Sequence, residues 1–196
     1  MAEEIQDGTG NGGYRARVDE FGRLHVNSVS QTEPNNASKF GKSFNVNTGN
    51  VTLTSANESA LLYLKNEGEE NIIISTIGYL LGNSTGGSGD VTARVIKNPN
   101  AGTIIDNAAN VDIIENKNFG SSNLLDALTY KGDEAETFTN GVNAFDSLIA
   151  GAGRAYVIAT GDVVLPKGAS LGIALTPPTG NSSMDVQVFL ALITYP

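Results

Sequence analysis

Cysteine is absent from the 196 residues, which excludes a disulfide framework, a thiolate metal site and a cysteine nucleophile. Tryptophan is absent too, and aromatic residues make up only 7%, so little is available for the stacking platforms of carbohydrate-binding sites. The single histidine, His25, excludes histidine-rich metal centres. It falls in a short strand-like run near the N-terminus, away from any core, where a surface or packing role is expected rather than a catalytic relay. Charged residues reach 17%, below the ~25% of ordinary domains. The formal charge of −9 and isoelectric point near 4.5 disfavour non-specific binding to nucleic acid or to an anionic membrane. Long hydrophobic runs are missing: Val186 to Ile193 (VQVFLALI) is far short of the ~18–20 residues that span a bilayer. The start, MAEEIQDGTGNGG, is acidic and glycine-rich, the reverse of a signal peptide, and the expectation is synthesis and folding in a cytoplasm.

The chain is instead rich in glycine, at 23 residues, and in Asn, Ser and Thr, the residues of turns and strand faces. Residues 1–38 are read as a flexible lead followed by a strand-forming arm, and residues 39–196 as one sandwich domain. Within the arm, Tyr14 to Val18 and Arg23 to Val29 alternate polar with apolar around a turn at Asp19 to Gly22, and Gln31 to Ser38 reads as a polar linker. From Phe40 the period is two. Phe44, Val46 and Thr48 alternate, Gly49-Asn50 intervenes, and Val51 and Leu53 resume, the pattern of a hairpin with a type II′ turn. Strands are expected at Ser59 to Lys65, Asn71 to Leu81, Asp90 to Lys97, Val142 to Ile149, Ala155 to Leu165, Ser170 to Thr176 and Met184 to Tyr195. Asn83 to Asp90 is an exposed glycine-rich loop, and Leu165-Pro166-Lys167-Gly168 fits a type I turn. In the middle, Thr103 to Ile105 and Val111 to Ile114 read as short strands and Ser122 to Leu128 as the one helical turn. About ten short strands with frequent turn signals and no long helix predict an all-β fold, a β-sandwich of jelly-roll type with an extended N-terminal arm.

Motifs for chemistry are weak. Gly8, Gly10 and Gly13 spell G-x-G-x-x-G without the strand before and helix after that a dinucleotide site requires. Gly41-Lys42-Ser43 resembles the end of a P-loop, but Asn36 stands where the first glycine belongs. Asp133, Glu134 and Glu136 crowd one loop without the spacing of a calcium loop and read as solvated carboxylates. No cofactor, metal or catalytic residue is therefore expected. Charge is uneven: between Tyr14 and Lys42 five basic and three acidic residues give +2, leaving −11 for the rest. A mildly basic, strand-forming arm on an acidic body suits docking onto another acidic protein, with Arg15, Arg17 and Arg23 as partner-binding candidates.

The strings VTLTSANESALLYLKNEGE, GGSGDVTARVIKNPNAGTII, NKNFGSSNLL, GAGRAYVIATGDVVLPKGASLGIAL and TGNSSMDVQVFLALI resemble, in order and extent, virion structural proteins of tailed bacteriophages. The likeness runs over roughly Tyr14 to Pro196. It implies a non-enzymatic capsid decoration (cement) protein on the phage head surface, bound to the major capsid protein and to itself as a homotrimer, with no nucleic-acid or membrane partner. The alternative is a tail- or baseplate-associated receptor- or glycan-binding module, with Asn83 to Asp90 and Lys97 to Gly120 as its recognition loops. A polysaccharide-cleaving enzyme using Asp133, Glu134 or Glu136 is the third class.

Overall fold

The computed structural model describes residues 17–18, 24–25, 33–106, 114–149 and 154–195. They belong to two units, Met1–Thr32 and Glu33–Pro196. In the first, β1 (Arg17–Val18) and β2 (Leu24–His25) pair antiparallel, Arg17 opposite His25 and Val18 opposite Leu24. The turn between them and the glycines at positions 8, 10 and 13 lie outside the described residues.

The second unit contains helix α1 (Glu33–Lys39), strands β3 (Ser43–Asn47), β4 (Val51–Leu53), β5 (Ser59–Asn66), β6 (Asn71–Leu81) and β7 (Val91–Lys97), and the short helix α2 (Thr103–Asp106). Strands β8 (Ile114–Asn116), β9 (Ala127–Lys131), β10 (Val142–Ile149), β11 (Arg154–Leu165), β12 (Ser170–Thr176) and β13 (Met184–Tyr195) follow. Eight strands pair as the two arms of one long hairpin would: β3 with β13, β5 with β12, β6 with β11 and β7 with β10, all antiparallel. Rolled into two layers, they give sheets ordered β11-β6-β13-β3-β8 and β10-β7-β12-β5-β9, with β4 beside β13. This is the jelly roll. No helix among the described residues is long and apolar enough to cross a membrane.

Alternation builds the core between the sheets. Met184, Val186, Val188, Leu190 and Leu192 of β13 all point inward and are buried. On β6 the inward set changes parity from Ile72 and Ile74 to Ile77, Tyr79 and Leu81. Ser75 is the extra residue, lying between Thr76 opposite Ala191 and Ile74 opposite Leu192, and its hydroxyl donates to the Ala191 carbonyl. The outer face of the five-stranded sheet carries a second apolar cluster, which explains why β5 and β12 are apolar on both sides. Tyr63 stacks on Tyr130 with centroids 5.5 Å apart and touches Phe138 at 6.4 Å, beside buried Ala60 and Ile104. The segment between β7 and β10 supplies Ile104, Tyr130 and Phe138. It roofs this sheet and adds β8 and β9 to the edges.

Several local expectations are corrected. Gly49-Asn50 does not reverse the chain: β3 and β4 both run antiparallel to β13, with Asn47 opposite Phe189 and Val51 opposite Val186. One more residue lies between them than on β13, so this is a bulge. Gly49 sits at φ +64, and Thr48 bonds both ways with Val188. The turn before β12 is displaced by one residue. Ala169 N–H donates to the Pro166 carbonyl at 2.9 Å, and Gly168, third in the turn at φ +79, makes it type II. The expected linker Gln31 to Ser38 overlaps α1, whose C-terminal end is closed by Phe40 N–H on the Asn36 carbonyl at 3.2 Å and Lys42 N–H on the Ala37 carbonyl at 2.8 Å. Thr103 to Asp106 is helical rather than extended, with Ile104 buried against the outer cluster. Ser122 to Asp126 is irregular and Ala127 begins a strand. Of the strand expected at Val111 to Ile114, only Ile114 lies within the described residues.

Candidate interaction edge

The two sides of the sandwich differ. On one side the sheets end in β8 and β9, three and five residues long. Asparagines lace that side shut. Asn116 donates to the carbonyls of Gly41 and Asn123 at 2.9 and 3.0 Å, Asn118 to Lys39 at 3.1 Å, and Asn123 to Phe40 at 3.1 Å. The pocket of about 410 Å³ there is lined by Phe44 and Leu125 but also by Asn116, Ser121 and Asn123. Short, side-chain-bonded edges are how proteins stop a sheet from recruiting further strands.

The other side has none of this. It ends in β10 and β11, eight and twelve residues long. β10 (VNAFDSLI) contains no Lys, Arg or Pro, and exposes Val142 (68%) and Leu148 (71%). Val157 and Val164 of β11 are also exposed. Between these edges opens a cavity of about 340 Å³ lined by Val95, Phe145, Val163, Leu165 and Leu171 but also by Lys97, Asn98 and Ser170. Asp146 is the only charge on β10, 3.7 Å from Arg94 and bonded to the Asn143 side chain. Apolar side chains gather at this mouth beside Lys97, Asn98 and Ser170, and among the described residues β10 pairs with β7 alone. The alternation of Val142 to Ile149 marks the strand in the sequence, but nothing local marks its outer edge as unpaired.

Arg17 is on β1, while Arg15 and Arg23 lie outside the described residues, so the three are not brought together by any described contact. The acidic loop stitches structure together. Glu134 accepts from Thr54 N–H at 2.8 Å and its hydroxyl at 2.6 Å, and these bonds hold its carboxyl below the usual range. The Glu136 carbonyl takes Ala60 N–H at 2.8 Å, and Asp133 caps Glu134 N–H. Among the described residues no three His, Cys, Asp or Glu side chains gather as metal ligands. Lys42 of the P-loop-like string pairs with Glu70, whose pKa falls because of that bond, and Ser43 opens β3. Gly82-Asn83-Ser84-Thr85-Gly86 also spells G-x-S-x-G. It joins two strands without the helix a nucleophile elbow needs, and the Ser84 hydroxyl is bound to Asn181 at 2.6 Å.

The chain matches no family model and no curated protein. Among solved structures it is similar to chains of the native virion of Kashmir bee virus. At neutral pH the identity is 12%, the TM-score 0.26, and 98% of this chain and 90% of that one are covered. At acidic pH the identity is 14% and the TM-score 0.23, with the same coverage. These scores fall below those of a shared fold, and the assignment of the jelly roll rests on the strand order alone.

Proposed function

We propose that this chain is a non-enzymatic structural protein of a virion. The reading is a decoration (cement) protein on the outside of a phage head, attached to the major capsid protein through residues 1–38 and self-associating, as a homotrimer in the form the sequence resemblance implies. The observation that carries it is the pair of long outer strands β10 and β11 with exposed apolar side chains, a surface available for contact. The charge layout supports it as well: a basic stretch bearing Arg15, Arg17 and Arg23 precedes an acidic body, the arrangement that steers an arm toward another acidic protein.

Purified protein mixed with undecorated capsids is expected to bind, and the triple reversal Arg15→Glu, Arg17→Glu, Arg23→Glu to bind at least tenfold more weakly. Equal binding would remove the arm from the account. Antibody labelling of intact particles is expected over the head at hundreds of copies. Label confined to the tail at a few copies would replace the decoration reading with the tail-associated one.

A further inference from the structure

We infer that the β10 edge receives a strand from a second copy of this chain, the segment Tyr14 to Val18, in a β-augmentation that closes the mouth of the sandwich. This rests on the self-association in the proposed function and names its surface. A strand added there gains backbone hydrogen bonds along an edge that nothing on the described chain covers, and apolar contact with the cavity beneath.

Length, polarity and charge select this occupant. Ala144 bulges out of the β10–β7 ladder, so the regular edge runs from Phe145 to Ile149, five residues. Tyr14 to Val18 is five residues as well. Along that edge Phe145, Ser147 and Ile149 share the inner face, Phe145 lining the cavity and Ile149 reaching the main core, while Asp146 and Leu148 are on the outer face, Leu148 being mostly exposed. The incoming segment has the matching period. Added as a strand, Tyr14, Ala16 and Val18 would form one face and Arg15 and Arg17 the other. Paired with the apolar face on the mouth, it sets both arginines on the side of Asp146. A slip of one residue would reverse both matches, which fixes the facing of the added strand. β1 uses one edge for β2, and a strand has two.

The absence of cysteine makes a direct test possible. Full-length protein carrying Ala16→Cys is mixed with full-length protein carrying Ser147→Cys and oxidised; should Ser147→Cys fail to fold, Arg15→Cys or Arg17→Cys is mixed with Leu148→Cys, which the pairing sets on the other face. A disulfide-linked dimer is expected in the mixture, and none when the second partner carries Leu124→Cys on the opposite side. Arg15→Glu with Arg17→Glu is expected to weaken self-association at least tenfold in sedimentation equilibrium, with the thermal midpoint at the lowest protein concentration equal to that of wild type. A link between two Ser147→Cys copies alone would show edge-to-edge pairing and overturn the inference. So would equal linking to Leu124→Cys, or a wild-type chain that stays monomeric. Capsid binding is read separately: if it persists while these links fail, only this inference falls.

Discussion

Tyr79 lies fully inside the sandwich, and its hydroxyl has no hydrogen-bond partner among the described residues. Burial pushes its pKa up, as expected of a phenol kept from water. A buried hydroxyl left unpaired costs about 1–3 kcal/mol, whereas the ring contributes packing that phenylalanine retains. Tyr79→Phe is therefore expected to raise the thermal midpoint, and Tyr79→Ala to lower it sharply, in parallel melts. A Tyr79→Phe variant less stable than wild type would mean that the hydroxyl is satisfied. Surface carboxylates act in the opposite sense. Glu70, bonded to Lys42, and Glu134, bonded to Thr54, both have folded pKa values below the ordinary 4.5. Their contribution is fully present above pH 4.5 and is lost as pH falls through the lower folded values. Both groups are well solvated, so the effect is small, about 0.2–1 kcal/mol for the Lys42–Glu70 pair. Melts from pH 7 to pH 3 should show a shallower acid-side decline for Glu134→Gln than for wild type, from a lower starting midpoint.

At the scale of elements, the segment between β7 and β10 is where tertiary packing overrides local pattern. Phe138 lies partly buried against Tyr63 and over Gly172, where an added Cβ would meet its ring at 2.7 Å. Phe138→Ala is expected to cost about 1.5–3 kcal/mol. Hydrogen exchange should locate the loss in α2 and β9, with β6 and β13 still protected; uniform loss would mean that roof and sandwich unfold as one. The same segment shows why legibility was uneven. Leu124, Leu125 and Leu128 have helical spacing, yet Leu124 is 89% exposed, Leu125 is in the main core and Leu128 packs on the outer cluster. Only long-range contacts distribute them so. Strands β6, β12 and β13 were legible to the residue because both their flanks and their period are local. Gly49-Asn50 was misread because a bulge and a reversal leave the same alternation on either side; the difference lies in β13, some 135 residues away. The candidate arginines stand out by charge, whereas the open edge of β10 has no local signal, because an unpaired strand differs from a paired one only in its neighbours.

For the whole molecule, self-association through the proposed edge would make association and stability one quantity. Anything that binds the folded chain and not the unfolded one raises the thermal midpoint with concentration. For copies that complete one another's β10 edge, each tenfold rise in protein adds on the order of 1 kcal/mol per chain. In a chain of this length that moves the midpoint by about 2–4 °C. A monomer shows no such slope. Leu148 distinguishes the cases, because at 71% exposure it contributes little to the isolated sandwich. A lysine there places a solvated charge on the edge, the device by which natural sheets refuse extra strands. Calorimetry of wild type across a hundredfold concentration range is expected to show the rising midpoint. Leu148→Lys is expected to show a flat one, equal to the wild-type value at the lowest concentration. A slope that survives Leu148→Lys would move the self-contact elsewhere, to the exposed valines of β11 or the groove beside Phe40 and Tyr195.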